Sequence, residues 1–440
     1  MSWRATTVRL TCWISGHSRY RFDQQLQANE GLTLEAIEQM QLDKLKGLLG
    51  HAYATVPYYR ELFEQQKIRP QDIRSLKDYS ALPILTKAIV RKHGVEAFRS
   101  TSFLPSQLVE VATSGSTGEP FRFLRQREYE EWRMAGWWRA WRWGGWTPGN
   151  KIAWLWREYW PQNRIKQLEK QLNWWLTGRQ WFNVFDMSEA TMDRWIDEFR
   201  QFKPSFVHAY PSAIMRFSSH LDARRVTLDG VKAVFTSGEM LLPNQRNLIK
   251  QTFQAEVHDM YGSSEVYPIA AECRQGALHL STDLIVPELE KDPQGSGLKR
   301  IIATPLQAYG MPFLRYEVGD LASAITHECS CGLPFPVLEG LVGRATDIFP
   351  LPNGRVVHGQ ILIAYLNAVG GVERFQFRQR QMDLLNLDII KGAGFSSQAI
   401  EAVQKQIQQD LNVRVAIAYV TDIPLTSQGK FRYAVSELGN

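Results

Sequence analysis

Val231-Lys232-Ala233-Val234-Phe235-Thr236-Ser237-Gly238-Glu239 is the stretch on which the fold turns. A short apolar run closed by Ser-Gly reads as a buried strand that ends in a turn. The same unit recurs on both sides of it. Ser205–His208 reads as a strand, and Pro211 opens a helix at its first position, where a missing N–H costs nothing. Pro243 opens another helix to about Phe253, and Glu256–Met260 is a short strand ending at Tyr261-Gly262. Upstream, a helix covers roughly Ser188–Phe202. Lys151–Trp156 reads as a buried strand after the turn Thr147-Pro148-Gly149-Asn150. This alternation predicts an α/β protein with mostly parallel sheets covered by helices. In such sheets ligands gather at the carboxyl ends of the strands. Ser237–Glu239, Tyr261–Glu265 and the loop Thr113–Pro120 are all expected at such ends.

That loop reads Thr113-Ser114-Gly115-Ser116-Thr117-Gly118-Glu119-Pro120 and follows a plausible strand at Leu108–Ala112. Its glycines permit tight turns and close approach, and its hydroxyls and backbone N–H groups can wrap a polyphosphate. It lacks the Gly-Lys-Ser/Thr ending of a P-loop. Taken alone it also reads as a plain solvated linker. Residues 32–67 are helical in pattern, broken at Pro57, and Thr86 in Leu82-Pro83-Ile84-Leu85-Thr86-Lys87 is an N-cap for the next helix. Phe121–Phe123 alternates like a strand. A helix over about Arg127–Trp143 then interleaves Trp132, Trp137, Trp138, Trp141 and Trp143 with Arg133, Arg139 and Arg142. Stacking of single-stranded nucleic acid is one reading of it. The favoured one is core packing on one face with arginines snorkelling on the other.

From Leu278 to Ala324 the pattern changes to short strands and turns, an antiparallel β region. After a polar break at Gly343–Asp347 the chain reads as a small α+β unit. Its strands fall near Val372–Arg378, Leu384–Ile390 and Val413–Val420, with a helix over Ser397–Leu411. The expected division is a large N-terminal domain, 1–345, and a small mobile C-terminal domain, 346–440. A chain of 440 residues exceeds one ordinary core, which also argues for two domains.

Hydrophobic content of 44% and charged content of 22% are those of a soluble globular protein. The net charge of +6 comes without a compact Lys/Arg block, so a nucleic-acid partner is not expected, while an anionic nucleotide substrate suits it. No segment approaches the ~18 uninterrupted apolar residues of a membrane span. Arg9 interrupts the apolar N-terminus, so a signal peptide is not expected. Four cysteines are too few for a disulfide scaffold, and a cytoplasmic enzyme is the expectation. The oligomeric state stays open, with a homodimer among the options.

Five motifs stand in order: Thr113–Pro120; Tyr261-Gly262-Ser263-Ser264-Glu265; Arg315-Tyr316-Glu317-Val318-Gly319-Asp320; Gly343-Arg344; and Pro424–Arg432, which contains Gly429-Lys430. Over roughly residues 40–435 this ordered set resembles the adenylate-forming superfamily of acyl-CoA synthetases. Val56-Pro57-Tyr58-Tyr59, Leu82–Lys87, Tyr309-Gly310-Met311-Pro312 and Cys329-Ser330-Cys331-Gly332 resemble its phenylacetate-CoA ligase and CapK-like capsular-polysaccharide branch. The resemblance implies ATP and a carboxylic acid giving an acyl-adenylate and pyrophosphate, after which a nucleophile displaces AMP. It implies Mg²⁺ and CoA as companions, and an aryl or arylacetic acid as first candidate substrate.

By the same resemblance, Thr113, Ser114, Gly115, Ser116, Thr117 and Gly118 hold the β- and γ-phosphates. Tyr261 stacks on adenine beside Ser237, Gly238 and Glu239, and Gly262, Ser263 and Ser264 complete that turn. Glu265 holds Mg²⁺, Asp320 accepts both ribose hydroxyls, and Arg344 reaches the ribose or α-phosphate. Lys430 bridges the α-phosphate and the attacking carboxylate. Two departures stand out. Phe121 occupies the position where a lysine often follows the loop proline, and Thr346 replaces the acid of the usual hinge, leaving Thr346 or Asp347 as the pivot.

A separate set is Cys273, His279, Cys329 and Cys331. Three thiols and an imidazole make a closed tetrahedral set for structural Zn²⁺, with no open position for catalysis. Unrelated cysteines and a surface histidine are the competing reading, and Cys12 stands apart as a free thiol. Two other functional classes also compete. One keeps adenylation but passes the acyl group to an amine, a sugar or a carrier-protein thiol in polysaccharide or natural-product biosynthesis. The other is a non-catalytic nucleotide- or nucleic-acid-binding protein.

Overall fold

The computed structural model describes residues 3–113, 121–157, 163–293, 297–344, 348–353, 356–367, 369–392, 394–424 and 431–438. Helices Trp3–Ile14 and Arg19–Asn29 come first. Helices Leu34–Thr55 and Pro57–Gln65 follow. Thr33 caps the first of these by accepting from the Ala36 amide at 3.2 Å, and Pro57 is the first residue of the second. The stripe Ile37, Leu45, Leu48, Leu49 and Ala52 is fully buried. Thr86 caps helix Lys87–His93 by accepting from Ile89.

Strands β1 (Leu108–Thr113) and β2 (Phe121–Gln126) form a separate antiparallel ribbon, with Thr113 opposite Phe121. The Ser/Gly stretch therefore joins two strands of a hairpin and does not end a parallel strand, which corrects the expectation. The reason is the alternation of these strands. Phe121 and Phe123 are buried, but Arg122 and Val109 face solvent, a half-buried pattern that parallel strands covered on both faces do not show.

The parallel part holds β3 (Ile152–Trp156), β4 (Arg179–Asn183), β5 (Phe206–Ala209), β6 (Ala233–Ser237) and β7 (Glu256–Tyr261), in the spatial order 7-6-5-3-4. Every residue of β5 and β6 is buried, as continuous apolar runs in a two-sided sheet require. Helices Glu189–Phe202, Pro211–Ala223 and Pro243–Phe253 cover one face, packing Trp195, Phe199, Phe217 and Phe253 on Val207 and Val234. The helix Arg127–Trp143 covers the other. Trp138 and Trp141 are 1% and 0% exposed there, packed on Phe206 and Phe235. Its arginines do not snorkel. Arg139 is buried and its Nη1 donates to both carboxylate oxygens of Asp283 at 2.8 Å. Arg142 pairs with Asp23 and Glu30. Trp132, half-buried, stacks on Phe22, and Trp137, also half-buried, packs against Trp154.

Beyond β7 the same sheet continues antiparallel through β8 (Ala270–Glu272) and β9 (Leu278–Leu280). Strands β10 (Ile285–Lys291), β11 (Lys299–Pro305) and β12 (Tyr316–Ala322) form a second, antiparallel sheet. β13 (Ala324–Thr326) and β14 (Val337–Glu339) return to the edge of the first, and β15 (Val342–Arg344) closes the second beside β12. The expected antiparallel region thus divides between two sheets.

The remaining strands are the ribbon β16 (Ile348–Pro350) and β17 (Val356–His358), then β18 (Val372–Gln381), β19 (Leu384–Lys391), β20 (Arg414–Tyr419) and β21 (Ala434–Ser436). The last four make one sheet in the order 20-19-18-21, covered by helices Gly359–Asn367 and Ser397–Leu411. Phe375, Phe377, Leu387, Ile389, Ile400 and Ile407 form its core, and Leu242 packs into that core from the larger part. Among the described residues no helix is long and apolar enough to cross a membrane.

Candidate functional site

The carboxyl ends of β6 and β7 face β12. Gly238 follows β6 with φ +83°, a conformation side chains disfavour. A Cβ there would also stand 3.0 Å from Tyr210 Cε1 and 3.3 Å from Trp156 Cη2. Those two rings are stacked, with centroids 3.6 Å apart. Glu239 comes next. One of its oxygens accepts from the Ser212 amide in the first turn of helix Pro211–Ala223, where a carboxylate is favoured by the helix dipole. The other accepts from the Phe431 amide at 2.9 Å, which fastens the segment just after Lys430 to the end of β6.

Tyr261 ends β7, and its hydroxyl donates to Asp320 Oδ2 at 2.8 Å. Burial, with the Asp320 carboxylate beside it, pushes the Tyr261 hydroxyl well above its usual pKa, so it stays a donor. Asp320 lies on β12 directly opposite Arg344 of β15. Gly262 cannot carry a side chain, because a Cβ would fall 2.3 Å from the ring of the buried Tyr267. Ser263 closes the turn by exchanging hydrogen bonds with Val266. The carbonyl of Ser264 accepts from Arg125 of β2, which ties the hairpin that carries the Ser/Gly loop to this turn.

Glu265 is 2% exposed. Its Oε1 pairs with Lys87 Nζ at 3.0 Å and accepts from the Tyr316 hydroxyl at 2.9 Å. Burial opposes its charged form, but Lys87, the Glu265 amide and the Tyr316 hydroxyl together hold the carboxyl below the usual range. Lys87 reaches this place because Leu85 pairs with β12: its amide donates to Arg315 O, and Glu317 donates back to Leu85 O. The Lys87 ammonium also sits 5.6 Å from the centre of the Phe121 ring. Phe121 stands where the loop lysine is missing, and Lys87 brings a cation to that spot, a placement its sequence context does not reveal. The only signal was a lysine at the first position of a capped helix. The motif Arg315–Asp320 divides in role. Arg315 is buried against Glu288 and Glu290, a structural pairing, whereas Tyr316 supports Glu265 and Asp320 meets Tyr261.

Ser237, Gly238, Glu239, Tyr261, Gly262, Ser263, Ser264, Glu265 and Asp320 are thus found on one end of the sheet and the facing strand. Ser114–Gly118, Lys430 and the hinge candidates Thr346 and Asp347 lie outside the described residues, as do the side chains of Thr113 and Arg344.

The ligand atoms of Cys273, His279, Cys329 and Cys331 all lie within 4.8 Å of one another. Cys273 Sγ is 3.8 Å from Cys329 Sγ, the edge of a tetrahedron with metal–sulfur bonds of about 2.3 Å. Cys331 Sγ is 3.2 Å from His279 Nε2. His279 Nδ1 lies 2.6 Å from the Phe335 carbonyl, so it is the donor and Nε2 keeps a free lone pair. The set joins the loop between β8 and β9 to the loop between β13 and β14, at the antiparallel edge of the nine-stranded sheet. No cysteine is in a disulfide.

The model of the CapK C-terminal domain matches residues 350–437. The phenylacetate-coenzyme A ligase of Thermus thermophilus is 23% identical over 372 residues, 81% of each chain. Protein CapK of Staphylococcus aureus is 21% identical over 410 residues, 87% of this chain and 85% of its own. A solved 2-hydroxyisobutyryl-CoA ligase in the postadenylation state superposes with a TM-score of 0.74 at 20% identity, covering 93% of this chain and 91% of that one. In the thioesterification state the same ligase superposes with a TM-score of 0.61 at 21% identity. The chain thus carries a CapK C-terminal family domain, has phenylacetate-CoA ligase and CapK homologues, and shares its fold with solved adenylate-forming ligases.

Proposed function

We propose that this chain activates a carboxylic acid with ATP and then transfers the acyl group to CoA. The carboxylate oxygen attacks the α-phosphorus, the bond to the β-phosphate breaks and pyrophosphate leaves. A thiol then attacks the acyl carbon and AMP leaves. The observation that carries this reading is the meeting of Tyr261, Asp320, Glu265 and the Phe431 backbone, brought from distant parts of the chain to the ends of β6 and β7 and onto β12.

In this reading Asp320 binds the ribose hydroxyls and Tyr261 lies on adenine, its ring held by the bond to Asp320. Ser237, Gly238 and Glu239 line the base, and Thr113–Gly118 take the outer phosphates. Lys87 supplies the positive charge that Phe121 cannot, beside Arg344 and Lys430 at the α-phosphate. Mg²⁺ neutralises polyphosphate charge, and the ionised Glu265 is a hard oxygen ligand of the right kind. The stacked Trp156 and Tyr210 beside Gly238 give a flat apolar wall, which supports an aryl or arylacetic acid. Residues 1–345 would hold the substrates and residues 346–440 would turn about Thr346 or Asp347 between the two half-reactions. Zn²⁺ would sit between Cys273, His279, Cys329 and Cys331 as a structural ion. Reliance on ATP and CoA favours a cytoplasmic site of action.

A second reading keeps the first half-reaction and changes the acceptor to an amine, sugar or carrier-protein thiol. The match of residues 350–437 to the CapK C-terminal domain favours keeping it. The test is ATP–pyrophosphate exchange over a panel of aromatic, aliphatic and amino acids, with Lys430→Ala as control. Acid-dependent exchange should fall at least ~100-fold in the variant, while transfer from a preformed acyl-adenylate persists. Exchange with no acid at all would overturn the proposal, and competition between CoA, amines and carrier protein decides the acceptor.

A further inference from the structure

Helices Trp3–Ile14 and Arg164–Thr177 pack side by side, at the edge of the nine-stranded sheet where β4 lies. Each buries little and exposes an apolar stripe. On the second helix Ile165, Leu168, Leu172 and Trp175 follow one another at spacings of three and four, which is one face of a helix, and they are 57–66% exposed. The first helix exposes Trp3, Leu10, Trp13 and Ile14, with Trp13 at 78%. Their undersides are anchored. Val8 and Cys12 are buried, and Trp174 stacks on Trp181 with centroids 5.0 Å apart. The two stripes meet where the Trp3 and Trp175 rings come within 6.1 Å. Neighbouring stripes of this kind make a patch that a soluble surface does not keep without a use.

The charge of the two helices is one-sided. Arg4 and Arg9 on one helix, and Arg164, Lys166 and Lys170 against Glu169 alone on the other, hold four of the chain's six excess positive charges. We propose that this face docks the protein on an anionic membrane surface. Tryptophan prefers the bilayer interface, where its ring is buried and its N–H stays wet, and each basic side chain gains from anionic headgroups. The helices are about 18 and 21 Å long, too short to span and suited to lie in the interface. A second copy of the chain fits less well, because a two-fold contact would set this positive rim against itself. No residue assigned to the reaction lies on either helix, so the docked protein keeps its site free.

The test is co-sedimentation of the full chain with vesicles of phosphatidylcholine alone or with about one third phosphatidylglycerol. The wild type should bind the anionic vesicles at least ~10-fold more tightly, and high salt should weaken that binding by a similar factor. Trp13→Ser with Trp175→Ser should lose ~10-fold or more in binding, and Lys166→Glu with Lys170→Glu should remove the preference for anionic lipid, both with unchanged pyrophosphate exchange. Three results would overturn the proposal: no sedimentation with either vesicle, binding indifferent to anionic lipid, or equal binding by the tryptophan variant. Concentration-dependent dimers that the tryptophan variant abolishes, without vesicle binding, would assign the face to a second copy instead.

Discussion

His208 points from β5 into a box of indoles. The rings of Trp137, Trp141, Trp154 and Trp156 stand 4.6–5.6 Å from its centre, and it is fully buried. Neither ring nitrogen has a hydrogen-bond partner among the described residues. Burial pushes its pKa down to about 3. The folded protein therefore holds this imidazole neutral while the unfolded chain protonates it below about 6.5. Stability contributed at this site is intact above that pH and falls as pH drops toward 3, at about 1.4 kcal/mol per pH unit. His208→Phe should flatten this fall. Urea unfolding at pH 7 and pH 4.5 should give the wild type a loss about 2–3 kcal/mol larger than the variant's. Equal losses would mean that the imidazole is not the group that titrates.

The helix Arg127–Trp143 is held to its neighbours by charge as well as by indoles. Arg139 and Asp283 are 1% and 0% exposed, and Asp283 also accepts from Asn29 at 2.7 Å. Breaking one side of such a pair strands a buried charge. Arg139→Met should cost about 3–5 kcal/mol in chemical unfolding. Adding Asp283→Asn should restore part of that loss, because the stranded carboxylate is gone. A single variant as stable as the wild type would show that the pair is not what holds the helix. From the sequence, the tryptophan spacing identified this helix and its buried face. The partner of Arg139 was not legible, because Asp283 lies 144 residues away and looks like any loop acid.

Across the molecule, the Cys/His set joins two loops at the free end of the nine-stranded sheet, and its four ligand atoms would fill a tetrahedral ion with no position left open for a reacting group. Its loss should therefore act on folding more than on chemistry. Cys331→Ser should lower bound zinc well below one per chain and lower the thermal midpoint by at least about 5 °C, while turnover per folded molecule stays near that of the wild type. A wild type free of zinc would refute the assignment, and a loss of turnover without a loss of stability would move the set into the active site.

Local pattern was enough for the class of fold and for the order of its parts. The strand–helix alternation from Lys151 to Tyr261, the capped helix at Thr86 and the C-terminal strands are set by apolar spacing and by proline and glycine, which act within a few residues. The motifs around Tyr261, Glu265 and Asp320 were visible for the same reason. Helix Arg164–Thr177 and β4 were missed, although Ile165, Leu168, Leu172 and Trp175 carry helical spacing; that this face meets solvent was not legible, because spacing marks a face and not what it packs against. Tertiary structure alone decided the rest. It put the Ser/Gly stretch in a separate hairpin, brought Lys87 onto Glu265 and Phe121, and set Tyr261 against Asp320. These contacts link residues 34 to 178 positions apart. No local rule reaches that far, because such pairs form only when the sheets that carry them pack together.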